Sequence, residues 1–337
     1  MGTAVEGNIL LAHGSGGRLS HELVEWLVGS LGAACRNAMD DSAVVQAQGQ
    51  LAFTTDSFVV TPLLFPGGDA GRLAVCGTVN DLAMSGAVPI YLSLAFIIEE
   101  GLPLAELERI VSSIREAALE AGVCVVTGDT KVVPHGAADK LFINTAGLGA
   151  IPPGTNISGA NAHPGDVIIL SGSVGDHGIT VMAQREGLKM SGDLSSDCAP
   201  LNGLVAAMLE AAPDIHALRD PTRGGLATTL NEIARQSGVS VTVEESAIPV
   251  KPAVKALCGL LGLEPLYVAN EGKLVAFVPP EKSQAVLDAM RGHKYGREAA
   301  IIGRVSAGAP GRAILKTALG TTRVLPMLAG DLLPRIC

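Results

Sequence analysis

The strongest constraint on the fold is an alternation of strand-like and helix-like segments that occurs twice along the chain. The two sets are separated by Ile151 to Gly165, a stretch rich in proline, glycine and asparagine, where we place the domain boundary. Runs of apolar residues predict strands at 51–55, 90–98, 123–127, 141–149, 166–171, 240–244, 274–279, 299–305 and 312–316. Apolar residues at helical spacing predict helices at 18–31, 69–86, 103–121, 200–212, 225–238 and 281–291. The sequence therefore predicts an α/β protein of two domains.

Composition limits the class of partner. The 337 residues are 48% hydrophobic, enough for a large core, and carry a formal net charge of −9. Neither nucleic acid nor an anionic membrane is expected as the main partner, because both select basic surfaces. The opening Met1 to Gly17 does not resemble a signal peptide, and no apolar run reaches the length of a membrane span. We predict a cytoplasmic protein.

The cysteines divide into two groups. The six show no Cys-x-x-Cys spacing and no paired arrangement with histidine, so they predict neither a zinc site nor a redox motif. Five are predicted to be core thiols. Cys337 is the last residue of the sequence, and a reactive thiol on a short tail can accept a group in one place and carry it to another. The alternative is a mobile end of the chain that finishes in cysteine by chance.

Aspartates gather at predicted turns that follow or precede apolar runs, and turns at strand ends are where an α/β sheet places its ligands. They are Asp40, Asp41, Asp56, Asp81, Asp129 and Asp220. Oxygen ligands of this kind suit Mg²⁺, which keeps its other positions for water and phosphate oxygens. For any single one of them, a turn or a helix cap is the better explanation. Together they predict a metal site.

Two glycine-rich segments are candidates for phosphate binding. Asp220-Pro221-Thr222-Arg223-Gly224-Gly225 runs into a predicted helix, so backbone amides at the helix N-terminus would face an anion there. The loop His13-Gly14-Ser15-Gly16-Gly17 precedes the first helix and could close over a nucleotide. Neither matches the P-loop pattern, and no Gly-x-Gly-x-x-Gly follows the first strand, which disfavours the common nucleotide-binding folds.

Two further residues are candidates for the chemistry itself. Lys131, in Gly128-Asp129-Thr130-Lys131, follows the predicted strand 123–127 and could neutralise phosphate charge, although a solvated lysine is the alternative. Glu271, in Asn270-Glu271-Gly272, precedes a predicted strand and could act as a general base, although a hairpin turn is the alternative.

The order of these motifs resembles the aminoimidazole ribonucleotide synthetase superfamily of ATP-using enzymes over about residues 8–310. The segments that carry the resemblance are Asp40-Asp41-Ser42-Ala43, Thr55-Asp56, Val79-Asn80-Asp81-Leu82-Ala83, Gly128-Asp129-Thr130 and Asp220-Pro221-Thr222-Arg223-Gly224-Gly225. With the loop His13 to Gly17 and the ending Pro334-Arg335-Ile336-Cys337, the chain is similar to the HypE family. These are hydrogenase maturation factors that make cyanide for the nickel–iron site.

The resemblance implies a PurM-like ATP-binding fold of class α/β (α+β), with the N-terminal sheet pairing across a homodimer. The parts it implies are a glycine-rich lid loop with the first helix (1–34), an N-terminal ATP-binding and dimerisation domain (35–152), a C-terminal α/β domain (160–310), and a segment with a flexible tail (311–337).

The resemblance also implies an activity. HypE proteins accept a carbamoyl group on the terminal thiol from a HypF-type carbamoyltransferase, and ATP then drives dehydration of the thiocarboxamide to a thiocyanate. The cyano group passes to iron on a HypC–HypD complex. Dehydration needs ATP, Mg²⁺ and a base, because phosphorylation turns the poorly leaving carbamoyl oxygen into phosphate.

Site residues follow by matching position. Cys337 corresponds to the acceptor, and Lys131 and Glu271 to residues that act at the dehydrating group. The implied metal ligands are Asp41, Asp56, Asp81 and Asp220. The residues implied to bind ATP are Asp41, Asp56, Asp81, Gly128, Asp129, Thr130, Thr222, Arg223, Gly224 and Gly225.

Other functions remain open at this stage. Selenophosphate synthetase, thiamine monophosphate kinase and aminoimidazole ribonucleotide synthetase share the scaffold. The first normally needs a reactive cysteine followed by lysine near its N-terminus, which is absent here, and the other two give no role to Cys337. A nucleotide-gated carrier scaffold without catalysis is an alternative of a different class.

Overall fold

Two β-sheets with helices packed against them form the two halves of the molecule. The structure, a computed structural model, describes residues 7–15, 17–36, 42–188, 194–327 and 335–337. The helices are α1 (Arg18–Leu31), α2 (Ala70–Met84), α3 (Leu104–Ala121), α4 (Asp176–Arg185), α5 (Asn202–Ala211), α6 (Gly225–Gln236), α7 (Pro252–Leu261) and α8 (Ser283–Gly292). The strands are β1 (Leu51–Phe58), β2 (Leu64–Phe65), β3 (Gly68–Asp69), β4 (Val88–Glu99), β5 (Cys124–Val133), β6 (Leu141–Ala150), β7 (Val167–Leu170), β8 (Ala217–Arg219), β9 (Ser240–Glu244), β10 (Val275–Val278), β11 (Ala300–Ser306), β12 (Arg312–Lys316) and β13 (Thr322–Leu325).

The first sheet has the order β1-β6-β4-β5, with β4 and β5 parallel and the other pairs antiparallel. Alternate residues point to opposite faces, and the face that carries Leu92, Leu94 and Phe96 packs beneath α2 and α3. Helix α2 is buried over most of its length, because it also contacts α5 of the second half. The helix therefore lies at the junction of the two domains.

The second sheet has the order β13-β12-β9-β11-β7-β10-β8 and is buried on both faces at its centre. In β7, Ile168 and Leu170 pack into the core beneath α6, whereas Val167 and Ile169 pack into the core beneath α5 and α8. This explains why β7 is a continuous apolar run and not an alternating one.

The α/β architecture and most elements agree with the sequence prediction. Helix α1 has the predicted bounds, whereas α4, α7, β8 and β13 were not predicted. Strand β8 has only three residues, and α4 has a polar sequence without a clear apolar stripe, so neither produces a strong periodic signal. Among the described residues, no helix is both long enough and apolar enough to cross a membrane.

Candidate active site

A cavity of about 690 Å³ opens between the two domains, along the outer edge of β1. Strand β1 and helix α2 supply one wall, and the end of β8 with the start of α6 supplies the other. Several predicted site residues line it: Asp56, Asp81, Asp220, Thr222, Arg223, Glu271 and Cys337. The structure thus brings residues of both domains and of the chain end into one space.

Asp56 and Asp81 lie together on the N-terminal wall. Asp56 is within β1 and Asp81 is near the end of α2, where Thr54 Oγ1 donates a hydrogen bond to Asp81 Oδ2 over 2.8 Å. Burial, followed by the charge of Asp81, raises the pKa of Asp56 to about 6. The prediction that these aspartates lie at turns was wrong, because the packing of a strand against a helix positions them instead.

Asp220 approaches the same point from the C-terminal domain, directly after β8. Burial, followed by the charges of Asp81 and Asp56, raises its pKa to about 7. A cation placed among the carboxylates offsets the charges that raise the pKa values of Asp56 and Asp220, and an oxygen-only donor set suits Mg²⁺. These three carboxylates therefore fit a divalent cation. The predicted ligand Asp41 and its neighbour Asp40 lie outside the described residues.

Glu271 is buried on the cavity wall, 3% exposed, and its Oε1 has no hydrogen-bond partner among the described atoms. Burial, followed by the charges of Asp220 and Asp197, raises its pKa well above the usual range. Its backbone N–H donates to Asp197 Oδ1 over 3.1 Å. A Cβ at Gly272 would lie 1.7 Å from the Asp197 carbonyl oxygen, so only glycine lets the chain pass here. The carboxyl group is fixed in place and available to a ligand.

The segment from Asp220 to Gly225 lies beside these carboxylates. Thr222 and Arg223 line the cavity, and Arg223 is close enough for its charge to lower the pKa of Asp56. Gly224 is the N-cap of α6, and Gly225 is its first residue. The N-terminus of α6 thus comes directly after the residues of the cavity wall in the chain, which is the arrangement predicted for an anion site.

The last three residues of the chain lie against the segment that follows β1. Val59 N–H donates to the Cys337 carbonyl oxygen over 3.1 Å, and Thr61 N–H donates to the Arg335 carbonyl oxygen over 3.3 Å. Ile336 is 2% exposed and packs into a core cluster to which both domains contribute. The chain end is therefore docked, and Cys337 lines the cavity.

Two side chains that the sequence did not single out hold this docked end. His177, fully buried in α4, lies with Nε2 2.8 Å from the Ile336 carbonyl oxygen and Nδ1 2.8 Å from Ser196 Oγ. Arg185 Nη2 donates to the carbonyl oxygens of Thr61 at 2.8 Å and Arg335 at 2.7 Å. A signal that could have found His177 is the segment Gly175-Asp176-His177-Gly178, whose polar residues do not fit the pattern of an apolar core helix.

Four predicted residues lie apart from this cavity: Gly128, Asp129, Thr130 and Lys131. They border a second pocket of about 280 Å³, which α1 and Gly14 also line. There Lys131 Nζ pairs with Asp129 Oδ1 at 2.6 Å. Strand β5 is three strand spacings from β1, or about 14 Å, so Lys131 and Asp56 are on opposite edges of one sheet.

The prediction that these four residues follow a strand was also wrong. Strand β5 continues to Val133, because its parallel pairing with β4 extends through Ile97 and Lys131. A Cβ at Gly128 would lie 2.2 Å from the Leu94 carbonyl oxygen, so glycine here permits close strand pairing and does not mark a turn.

Comparison with known proteins places the chain in a family. Residues 39–151 match the N-terminal domain, and residues 163–316 the C-terminal domain, of AIR synthase related proteins. Carbamoyl dehydratase HypE of Azotobacter vinelandii is 55% identical over 336 residues, which is 98% of each chain. A crystal structure of hydrogenase maturation protein HypE in complex with ATP superposes with a TM-score of 0.93 at 51% identity, covering 98% of this chain and 100% of that one. The HypE–HypF complex contains a chain with a TM-score of 0.81 at 44% identity, covering 93% and 100%.

The fold and its paired domains thus define a PurM-like protein of the AIR synthase related class. Within that class, the chain belongs to the HypE family, the carbamoyl dehydratases of hydrogenase maturation.

Proposed function

We propose that the chain uses ATP to dehydrate a carbamoyl group carried on the Cys337 sulfur, which converts a thiocarboxamide to a thiocyanate. The observation that carries the proposal is that Cys337, Glu271 and three mutually repelling carboxylates line one cavity. A HypE of known structure binds ATP, and it shares 51% of its sequence with this chain. A thiol acceptor, a base and a metal–phosphate site are what this reaction requires.

The chemistry proceeds by activation of oxygen. The carbamoyl oxygen attacks the γ-phosphorus of ATP, the bond to the β,γ-bridging oxygen breaks, and ADP leaves. Removal of the two nitrogen protons and departure of phosphate then form the carbon–nitrogen triple bond. The overall reaction converts RS–CO–NH₂ and ATP to RS–CN, ADP and phosphate. The water that the amide loses is the water that hydrolysis of ATP to ADP and phosphate consumes.

Mg²⁺, when bound, would neutralise charge that develops on the transferred phosphoryl oxygens. Asp56, Asp81 and Asp220 are the described residues that would hold it, with Asp41 added by position in the sequence. Phosphate oxygens would bind to Thr222, Arg223 and the amides that begin α6; the lining of the cavity by Thr222 and Arg223 and the helix start at Gly225 support this.

Glu271 is the proposed base. Its pKa is raised well above the usual range by burial first and then by charges that include Asp220 and Asp56. A cation bound to Asp220 and Asp56 offsets those two charges, which favours ionised Glu271. The base would therefore become active when the metal and nucleotide are in place.

We further propose a homodimer built on the open face of the first sheet. That face carries Leu51, Phe53, Tyr91 and Ile97. Residues that pair directly across strands point to the same side of the sheet, and the pairing with β6 puts these four on one side. Phe53 is 72% exposed and Ile97 44% exposed. Large apolar side chains along one sheet face favour a second copy of the sheet as the partner.

The dimer gives Lys131 a role. Lys131 lies on the same open face as Ile97, at the β5 edge, while the cavity follows the β1 edge. In a two-fold arrangement that closes the two sheets into a barrel, the β5 edge of one subunit lies beside the β1 edge of its partner. We propose that Lys131, with Gly128, Asp129 and Thr130, acts in the partner's cavity.

Two partners complete the cycle. A HypF-type carbamoyltransferase would supply the carbamoyl group, as supported by the HypE–HypF complex formed by a protein 44% identical to this chain. A HypC–HypD iron-scaffold complex would receive the cyano group. Backbone and side-chain hydrogen bonds dock the chain end reversibly, so Cys337 can leave the cavity to meet either partner.

ATP turnover tests the proposal. Carbamoylated protein should release about one phosphate for each Cys337 converted, and the Cys337→Ala variant should bind Mg-ATP without releasing phosphate. Phosphate release that continues unchanged in Cys337→Ala would contradict the proposal and point to a different acceptor.

A further inference from the structure

Three side chains capable of binding a metal converge outside the cavity, at the start of the second sheet. His163 and Asp166 belong to the segment that leads into β7, and His216 directly precedes β8. Asp166 is 2% exposed, whereas His163 is at the surface. No role in the dehydration reaction falls on them, because they lie at the end of β8 opposite to Asp220.

The donor atoms point at one another. His163 Nδ1 lies 3.3 Å from His216 Nδ1, and His216 Nδ1 lies 3.0 Å and 2.9 Å from the two carboxylate oxygens of Asp166. The two imidazole rings meet edge to face, with centroids 4.5 Å apart and an interplanar angle of 79°. The Nδ1 atoms of the two rings therefore face each other beside the Asp166 carboxylate.

Hydrogen bonding alone does not satisfy this arrangement well. A neutral His216 ring has at most one proton on Nδ1, yet three polar atoms lie within 3.3 Å of that nitrogen: both Asp166 oxygens and His163 Nδ1. When that proton serves the Asp166 carboxylate, His163 Nδ1 has no hydrogen bond to His216 in either of its own tautomers. A single cation between the three groups would serve all of them at once.

The spacing has the size of a tetrahedral metal site. Two nitrogens each bound at about 2.0–2.1 Å to Zn²⁺ at the tetrahedral angle are about 3.3 Å apart, which is the separation found here. Asp166 Oδ2 already accepts the His163 backbone N–H at 2.8 Å, so the carboxylate is fixed in place, and Oδ1 would exchange its contact with His216 Nδ1 for the metal. Such second contacts are typical of metal-binding carboxylates.

We propose that His163, Asp166 and His216 form a Zn²⁺-binding site, with water completing the coordination on the exposed side. Two imidazoles and one carboxylate form a donor set that binds Zn²⁺ in preference to Mg²⁺. The ion would tie the segments that enter β7 and β8 to each other. Since β8 leads directly to Asp220, this clamp would brace one wall of the cavity from its far end.

The test is calorimetric titration of the full, metal-stripped chain with ZnCl₂ in the presence of Mg-ATP, which occupies the carboxylates of the cavity. We expect the wild-type chain to bind one Zn²⁺ that His163→Ala and His216→Ala weaken by at least about tenfold. His163 is exposed, so its truncation leaves the core intact. His21→Ala, which removes an exposed histidine of α1, is the matched control and should retain the site.

Co²⁺ provides a second readout on the same proteins. Four-coordinate Co²⁺ bound to nitrogen and oxygen gives strong visible absorption without the near-ultraviolet band of a thiolate ligand. Loss of this spectrum in both histidine variants supports the site. Equal Zn²⁺ affinity and equal spectra in wild type and variants, or a thiolate band in the wild-type spectrum, would overturn it.

Discussion

The His177 imidazole contacts the Ile336 carbonyl oxygen at 2.8 Å, one residue before Cys337. Because Nδ1 faces the hydroxyl of Ser196, the neutral ring can donate to the carbonyl through Nε2 and accept from the serine through Nδ1. The two residues are 159 positions apart in the chain. Helix α4 of one domain thus holds the chain end against the other.

This contact predicts a pH-dependent release of the chain end. Burial lowers the pKa of His177 below its ordinary value of 6.5 and outweighs both the charge of Asp197 and the hydrogen bond to the Ile336 carbonyl, which act in the opposite direction. If release of the chain end opens His177 to solvent, its pKa returns toward 6.5 and the docked state binds fewer protons than the open state. Docking is then at full strength above pH 6.5, weakens as the pH falls below that value, and is lost as the pH passes through the lowered pKa of the docked state. Asp197 is itself paired with Lys273 at 3.1 Å, and Asp176, next to His177 in α4, is paired with Lys251 at 2.7 Å.

Amide hydrogen exchange at Val59 and Thr61 measures this release, since both N–H groups donate to the chain end. Their exchange, corrected for its intrinsic pH dependence, should speed up between about pH 7 and pH 5. His177→Gln keeps a donor without titrating and should abolish that change, whereas His21→Gln should preserve it. Protection that does not vary with pH in the wild-type chain would refute the role of His177.

Replacing Glu271 should separate the two halves of the reaction. Glu271→Gln keeps the shape of the side chain but removes the base, so dehydration should slow by at least about 100-fold. Carbamoylation of Cys337 and Mg-ATP affinity should stay near wild type, because neither depends on proton removal from the amide nitrogen. Glu298→Gln is a control outside the cavity. A dehydration rate close to wild type in Glu271→Gln would assign the base to another residue.

Asp220→Asn should stabilise the metal-free protein and remove its response to magnesium. The pKa of Asp220 is raised to about 7 by burial and by Asp81 and Asp56, so its ionisation opposes folding when no cation is present. The variant should melt a few degrees higher at pH 8 without Mg²⁺. It should gain little further stability from Mg-ATP. The control Asp214→Asn, which changes an exposed aspartate, should still be stabilised by Mg-ATP. A full magnesium-dependent shift in Asp220→Asn would exclude it as a ligand.

The open sheet face predicts that Phe53→Glu yields monomers. A charge at this position would have to be buried between the two sheets, which is costly. The matched control is Leu260→Glu, because Leu260 is 71% exposed on α7 and lies outside the proposed interface. Light scattering after size-exclusion chromatography should show half the wild-type mass for Phe53→Glu and an unchanged mass for Leu260→Glu. A wild-type chain that is monomeric at micromolar concentration would contradict the dimer.

Mixing two inactive variants tests whether Lys131 acts across the dimer. If it does, a heterodimer of Lys131→Ala and Cys337→Ala subunits contains one site in which both residues are native. Half of the dimers in an equal mixture are heterodimers with one intact site of two, so about a quarter of wild-type activity should return. No recovery, despite subunit exchange shown by mass, would mean that Lys131 and Cys337 belong to the same subunit's site.

The sequence predicted the parts of this molecule that depend on local pattern. Leu23, Leu27 and Leu31 repeat at helical spacing, and they are the buried face of α1. The convergence of Asp56, Asp220 and Glu271 was predicted by resemblance and not by spacing, since more than 160 residues separate the first from the second.

What the sequence could not show depends on contacts between distant segments. Gly128 looks like a turn residue, but pairing with β4 draws it into a strand. His177 and Arg185 have no local signal for their role, because the groups they bind arrive from the far end of the chain. Long-range packing and hydrogen bonding decided these positions, overriding the local preference of each residue.

The central claim is that Cys337 carries the group on which ATP acts. The most direct test is the intact mass of the peptide that contains Cys337, after incubation with a HypF-type carbamoyltransferase and carbamoyl phosphate, before and after addition of Mg-ATP. The account predicts the gain of one carbamoyl group on Cys337, followed by an ATP-dependent loss of one water. An unmodified Cys337 in the presence of a demonstrably active transferase, or a carbamoyl group that Mg-ATP leaves unchanged, would contradict it.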